Sequence, residues 1–237
     1  MMAFPQRTRD AVAQWRDATV TRIGRVVSAG MGILRADMQP NSLQNVLTRL
    51  DEANAEDPRQ ELHDGVMTTR ELRFARRVEE WVARLIPAPS DELRIAARGH
   101  TLRRWMIPRE AYPKTKVGYR AWRTALNTFH AEQTDAILAE LGIAEPVRAG
   151  VRDLILKKDW RNDPEGRALE DGDCLAFLEL KLAAYLDDWG DEKTIDILKK
   201  TLRKMTPQAI ALASGLTLDP RVRALLHQAV ADSSERR

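Results

Sequence analysis

Two imidazoles and two carboxylates are the side chains of this 237-residue sequence best suited to holding a metal ion: His100, His130, Asp171 and Asp173. Imidazole nitrogen and carboxylate oxygen are ligands for zinc, iron or manganese, and such an ion lowers the pKa of a bound water until it becomes a nucleophile at neutral pH. His100 ends the apolar, Ala-rich run that begins at Leu93 and passes through Ile95, Ala96 and Ala97. His130 lies in the row Leu126, His130, Gln133, Ile137 and Leu141, which is one face of a helix at spacings of three and four. An imidazole inside an apolar row needs partners for its ring nitrogens, so either histidine alone reads more simply as a hydrogen-bonded core residue. Both together, with an acid on a third helix, favour a site. Glu132 is the candidate proton acceptor, although a step of two residues along a helix turns it away from His130.

The basic residues point to an anion. Arg103, Arg104 and Arg109 bracket the end of the His100 helix, Arg123 follows Tyr119 by one turn, and Lys157 and Lys158 close a short helix. Guanidinium forks match phosphate or carboxylate geometry through paired hydrogen bonds. Trp105, Tyr112, Tyr119 and Trp122 interleave with these arginines. Trp81 and Trp122 read as core, whereas Trp105 and Tyr112 are candidates to stack on a base or on an arginine plane. The plainer alternative is a solvated face of arginine–acid pairs.

Composition bounds these readings. Net charge is only +3, because 35 acids nearly balance 38 bases, which argues against a large uniform field for polyanions but permits a local basic patch. A single cysteine, Cys174, excludes an intramolecular disulfide and reads as a small buried hydrophobe. No segment is apolar for long enough to span a bilayer, and a reducing cytoplasm is the expected compartment.

The elements that must position these residues read as all-α. Leu43, Val46, Leu47 and Leu50 repeat at helical spacing, and Asp51 to Pro58 is a polar break. Thr68 and Glu71 form a candidate capping box for a helix to Leu85, stopped by Pro87 and Pro89. Ser90 caps the His100 helix. The longest helix runs from about Gly118 to Leu141, with Gly142 as its left-handed cap, and Pro146 starts a short helix to Lys158. Further helices are expected over Leu169 to Leu186, over Ile195 to Met205, after Thr206-Pro207 and after Asp219-Pro220. No strand is expected. The domain is placed at residues 42–232, with a loose tail over 233–237. Residues 1–41 are read as an Arg-rich extension, with six arginines and no lysine before Met38, itself a candidate start.

Several of these runs resemble, in order, the domain-of-unknown-function family numbered 4202. They are Asp51 to Pro58, Ala96 to Trp105, Pro108-Arg109, Tyr112-Pro113, Gly118-Tyr119, Trp122-Arg123, Phe129 to Glu132, Leu169 to Asp171 with Cys174-Leu175, and Lys200 to Met205. Where that family usually carries Gln before the histidine, this chain has Gly99. Members are sometimes labelled glutamyl-tRNA synthetase-like, but the chain lacks the nucleotide-binding strand–loop–helix that such an activity requires. A more distant similarity is to HD-type phosphohydrolases, which are helical metal enzymes. Ala96 to Thr101 is similar to their Ala-rich helix, with His100 in the histidine slot, and Asp173-Cys174-Leu175 to their final Asp-x-Leu. Phe74 stands at the first histidine slot and Thr101 at the aspartate slot, so two of the four usual ligands are replaced.

The resulting expectation is one all-α domain with an HD-like core. Its expected function is metal-assisted hydrolysis of a phosphorylated small molecule or nucleotide. His100, His130 and Asp171 or Asp173 would hold the ion, and Arg103, Arg104, Arg109 and Arg123, with Tyr112, Lys157 and Lys158, would hold the phosphate. The alternative is a non-catalytic module that binds a nucleotide or RNA through the same arginines.

Overall fold

The computed structural model describes residues 40–63 and 65–234. Almost all of the Arg-rich extension, and Met38 with it, lies outside the described residues. The chain runs through α1 (Pro40–Ala55), β1 (Gln60–His63), β2 (Val66–Thr69), α2 (Arg70–Leu85), α3 (Asp91–Gly99) and α4 (Lys116–Glu140). It continues through α5 (Glu145–Ile155), α6 (Pro164–Leu180), α7 (Leu186–Leu202), α8 (Pro207–Ser214) and α9 (Pro220–Ser234). Short 3-10 turns occupy Arg104–Met106, Arg109–Ala111 and Leu182–Tyr185.

The fold is mostly helical, with one departure from expectation. Gln60 to Thr69 forms an antiparallel hairpin that pairs Gln60 with Thr69 and His63 with Val66. Each strand has four residues and little burial, too short for an alternating pattern to show. The hairpin also displaces the expected capping box, because Thr68 belongs to β2 and α2 begins at Arg70. The Thr69 hydroxyl donates instead to the Asn54 carbonyl at 2.9 Å, and the Glu71 N–H donates to Asp57 Oδ2 at 3.2 Å. The first turn of α2 is thus capped from the segment before the hairpin. The polar stretch after Leu50 does not break α1 at once, since Leu50 and Ala53 share its buried face.

Other boundaries follow local chemistry. Side chains of Ser90, Thr115, Asp163 and Thr206 accept the first free N–H groups of α3, α4, α6 and α8. Thr115 sets the start of α4 at Lys116 rather than at Gly118. Pro146 lies in the first turn of α5, and Gly142 takes φ 72° after α4. Gly190, at φ 70° and ψ 170°, divides α7 into two helical pieces. Asp232, the last residue of the expected domain, ion-pairs with Lys199 at 2.5 Å as α9 continues to Ser234.

The core forms where α2 packs along α6 and α3 lies against α1, α2, α5 and α6. Leu93, Ile95, Ala96 and Ala97 of α3 are fully buried, and a large buried aliphatic such as Leu93 contributes about 1.5–3 kcal/mol. Gly172 lets α6 approach α2, because a Cβ there would lie 3.2 Å from the Val78 carbonyl oxygen. A smaller cluster of Ile107, Tyr112, Trp122 and Leu126 anchors the loop before α4. The C-terminal end of α3, and so His100, is thereby fixed in the interior. None of the described helices is long and apolar enough to cross a membrane.

Candidate functional site

α3 and α4 cross closely at Gly99. A Cβ built there would lie 2.5 Å from Thr134 Oγ1, so no larger residue fits without movement. His100 caps the end of α3 with Nδ1 2.9 Å from the Ala97 carbonyl oxygen and Nε2 3.5 Å from Asp173 Oδ1 on α6. A carbonyl only accepts, so Nδ1 carries a hydrogen, and Nε2 donates to Asp173 only when the ring is doubly protonated.

Asp173 Oδ2 is 3.7 Å from Lys157 Nζ. Burial opposes the charge on Asp173, but the His100 hydrogen bond and the cations Lys157 and Arg123 outweigh it and hold the carboxyl well below its ordinary range. Lys157 also bonds Glu170, which is 3% exposed and accepts from Lys204 at 2.9 Å. Burial again works against ionisation of Glu170, and the two ammonium groups prevail. Lys157 reaches this position from a left-handed backbone (φ 58°) just past the end of α5, a conformation that glycine adopts at far lower cost.

His130 enters the same interior from α4 and is 1% exposed. Its Nδ1 lies 2.7 Å from the Leu102 carbonyl oxygen, while its Nε2 is buried without a partner. Burial first, and then the field of Arg104, hold its pKa well below the usual histidine value, so the ring is neutral with Nε2 as a bare acceptor. The Arg104 guanidinium stacks 4.9 Å over the Trp122 ring and has no hydrogen-bond or ion-pair partner among the described residues. Its pKa is lowered by burial, with partial relief from Glu71 and Asp173 and further opposition from Arg123. Lys181 Nζ sits 3.5 Å above the Phe74 ring and 3.3 Å from buried Glu71, and the Phe74 ring centre is 6.1 Å from that of His100.

Other expected site residues stand apart. Arg103 pairs with Glu56 at 3.1 Å and donates to Gln133 at 3.0 Å. Arg109 donates to the carbonyls of Tyr112 and Pro113 at 2.8 Å each and so holds the loop before α4. Tyr112 is packed in the smaller core with its hydroxyl buried and unpartnered. Lys158 pairs with Asp153 on the surface at 2.6 Å, and Glu132 is exposed. Asp171 turns toward α8, where its carboxylate accepts from the Thr206 N–H at 2.9 Å and from the Thr206 hydroxyl at 2.5 Å. Of the two acids considered, Asp173 is therefore the one beside His100.

Glu170, Glu71 and Lys181 belong to the site but were not singled out from sequence. Their signal is slight: Glu170 lies within the buried run Ala168 to Gly172, and a buried carboxylate requires cationic partners. Cys174 is buried, and burial raises its thiol pKa well above the usual value.

Among the described residues no group of three or more His, Cys, Asp and Glu side chains is placed to hold a metal ion. Two surface depressions lie away from the histidines. One, of about 150 Å³, is lined by Arg103 and Glu56, and the other, of about 370 Å³, by Arg77 and Glu179. Both walls are ion pairs already closed, at 3.1 Å and 2.6 Å.

The fold and site together define a helical bundle whose interior holds two histidines among incompletely neutralised cations. The chain belongs to the family described as Domain of unknown function (DUF4202), which matches residues 44–226. No curated protein and no solved structure matches it.

Proposed function

We propose that the protein binds the phosphate of a phosphorylated small molecule or nucleotide, as an anion-binding module: Arg104 and Arg123 donate to its charged oxygens, and the bare Nε2 of His130 accepts the P–OH hydrogen of the monoanion. Arg104 carries this reading. Arginines elsewhere in the fold, such as Arg59, Arg77, Arg94, Arg98, Arg148 and Arg152, are ion-paired. Arg104 is half-buried and has no ion-pair partner among the described residues, and the charge of Arg123 adds to its field. An unpaired, partly buried cation is costly to the folded state, and a bound anion offsets that cost.

The donor set fits a resident metal poorly. His100 spends Nδ1 on a carbonyl and Nε2 on Asp173, Asp173 faces Lys157, and neighbouring guanidinium and ammonium groups repel a divalent cation. An HD-like ancestry of the core is part of the proposal. Phe74, His100 and Asp173, which resemble three of its ligand slots, converge, and the Lys181 ammonium over Phe74 supplies positive charge there.

Thermal unfolding and calorimetry with inorganic phosphate, pyrophosphate and nucleoside monophosphates test the reading. Wild-type protein is expected to gain stability with ligand, while Arg104→Gln loses that response yet is no less stable when unliganded. Failure of every probe to stabilise the wild type overturns the proposal. A near-stoichiometric metal that is lost in a His100→Ala, His130→Ala variant restores metal-assisted hydrolysis instead.

A further inference from the structure

The segment from Arg103 to Arg123 holds seven of the chain's cations and one acid, Glu110, and no further acid occurs before Glu132. Arg103 and Arg109 are engaged as described above. Lys116, Arg120 and Arg123 then recur along α4 at steps of four and three, and Asn127 and His130 follow at further steps of four and three. At 100° per residue these five lie within one stripe of the helix. Burial rises steadily along it: Lys116 and Arg120 are exposed, Arg123 and Asn127 are half-buried, and His130 is buried with its Nε2 unpartnered. The stripe therefore leads from solvent to the interior.

A rise of 1.5 Å per residue makes that path about 21 Å long, well beyond the reach of one phosphate. Tyr119, 50% exposed, stands beside the stripe with its ring 5.7 Å from that of Trp122. The Arg109 guanidinium lies 6.0 Å from the Tyr119 ring centre, and a half-exposed aromatic ring next to a line of cations suits a chain that carries bases as well as phosphates.

We infer that the ligand of this site is the end of a single-stranded nucleic acid, held with its terminal phosphate at Arg104 and Arg123 and donating its P–OH hydrogen to Nε2 of His130, its next phosphates along Arg120 and Lys116, and a base against Tyr119. This inference rests on the anion-binding reading and extends it outward. The length of the stripe corresponds to on the order of 4–6 nucleotides.

Fluorescence anisotropy with labelled RNA, from dinucleotide to octanucleotide with and without a 5′-phosphate, tests it against a nucleoside monophosphate titrated by calorimetry. Affinity is expected to rise with length and level off near the hexanucleotide. The exposed double variant Lys116→Gln, Arg120→Gln is expected to bind the hexanucleotide about tenfold more weakly, with a shallower salt dependence, while its monophosphate affinity holds. Tyr119→Ala is expected to weaken RNA binding but not binding of inorganic polyphosphate. Equal affinity for monophosphate and hexanucleotide, or no effect of the double variant, overturns the extended ligand and leaves the phosphate site standing. Polyphosphate binding as tight as RNA, with Tyr119→Ala silent, overturns the nucleic-acid assignment. RNA binding that ignores Arg104→Gln, with no monophosphate binding, overturns the underlying site as well.

Discussion

His100 and Asp173 are 73 positions apart in the chain, yet Nε2 of one lies 3.5 Å from Oδ1 of the other. The contact joins the end of α3 to the middle of α6, and Lys157 reaches the same carboxylate from beyond the end of α5. Two neighbouring aspartates on α6 thereby acquire different work. Asp173→Asn is expected to cost about 2 kcal/mol at neutral pH, the scale of a hydrogen bond to a charged group. Because the folded pKa of Asp173 is depressed, its contribution is present above the unfolded value of about 3.9 and is lost as pH falls through the folded value. Urea unfolding of both proteins from neutral pH down past pH 4 checks this: the gap should close on the acid side. Asp171→Ala should cost about 1 kcal/mol through the lost cap on α8, with phosphate binding unchanged.

His130 provides a separate pH signature. Its pKa is lowered well below the ordinary value by burial and by Arg104, so the unfolded chain takes up a proton that the folded chain refuses. Its contribution is complete above about pH 6.5 and declines below it, by about 1.4 kcal/mol per pH unit until the folded pKa is reached. Stability profiles of wild type and His130→Gln between pH 7 and pH 5 should diverge in slope by this amount. Parallel profiles would show that His130 is not buried neutral.

At Lys157 the backbone and the side chain pull in opposite directions. Glycine would relieve the left-handed φ of 58°, worth about 1 kcal/mol, but would remove the cation from Glu170 and Asp173. Lys157→Gly is therefore expected to be about 1 kcal/mol more stable than Lys157→Ala, with both below wild type. Chemical denaturation of the three proteins decides it, and equal stability of the two variants would remove the backbone explanation.

Gly118 is the tight point at the start of α4. A Cβ there would lie 2.2 Å from the Pro113 carbonyl oxygen, which Arg109 already holds. Gly118→Ala should gain about 1 kcal/mol of helix propensity and still destabilise the protein by about 2 kcal/mol, because the loop must move. The expected companion effect is weaker phosphate binding, since Arg104 and Arg123 flank the same loop. A stabilised variant would contradict the packing.

Helix positions and their signals were legible from the residues themselves. Ser90, Thr206, Pro146 and Gly142 act locally, within a turn of where they stand, so their effect can be read without knowing the fold. The same holds for the buried faces of α2 and α3, where periodicity records which side meets the core. His100, His130, Asp173, Arg104 and Arg123 were identifiable as chemically capable types. Their relation was not, because contacts between α3, α4 and α6 leave no fixed spacing in sequence. Tertiary packing decided that Asp173 rather than Asp171 meets His100, since a helix turns 100° per residue and two steps send a side chain to the opposite face. It also decided that Arg103 and Arg109 are consumed by Glu56 and by loop carbonyls, while Arg104, between them in sequence, is left unpaired over Trp122. Charge alone made these arginines alike, and the partners that the fold brings within hydrogen-bonding distance made them different.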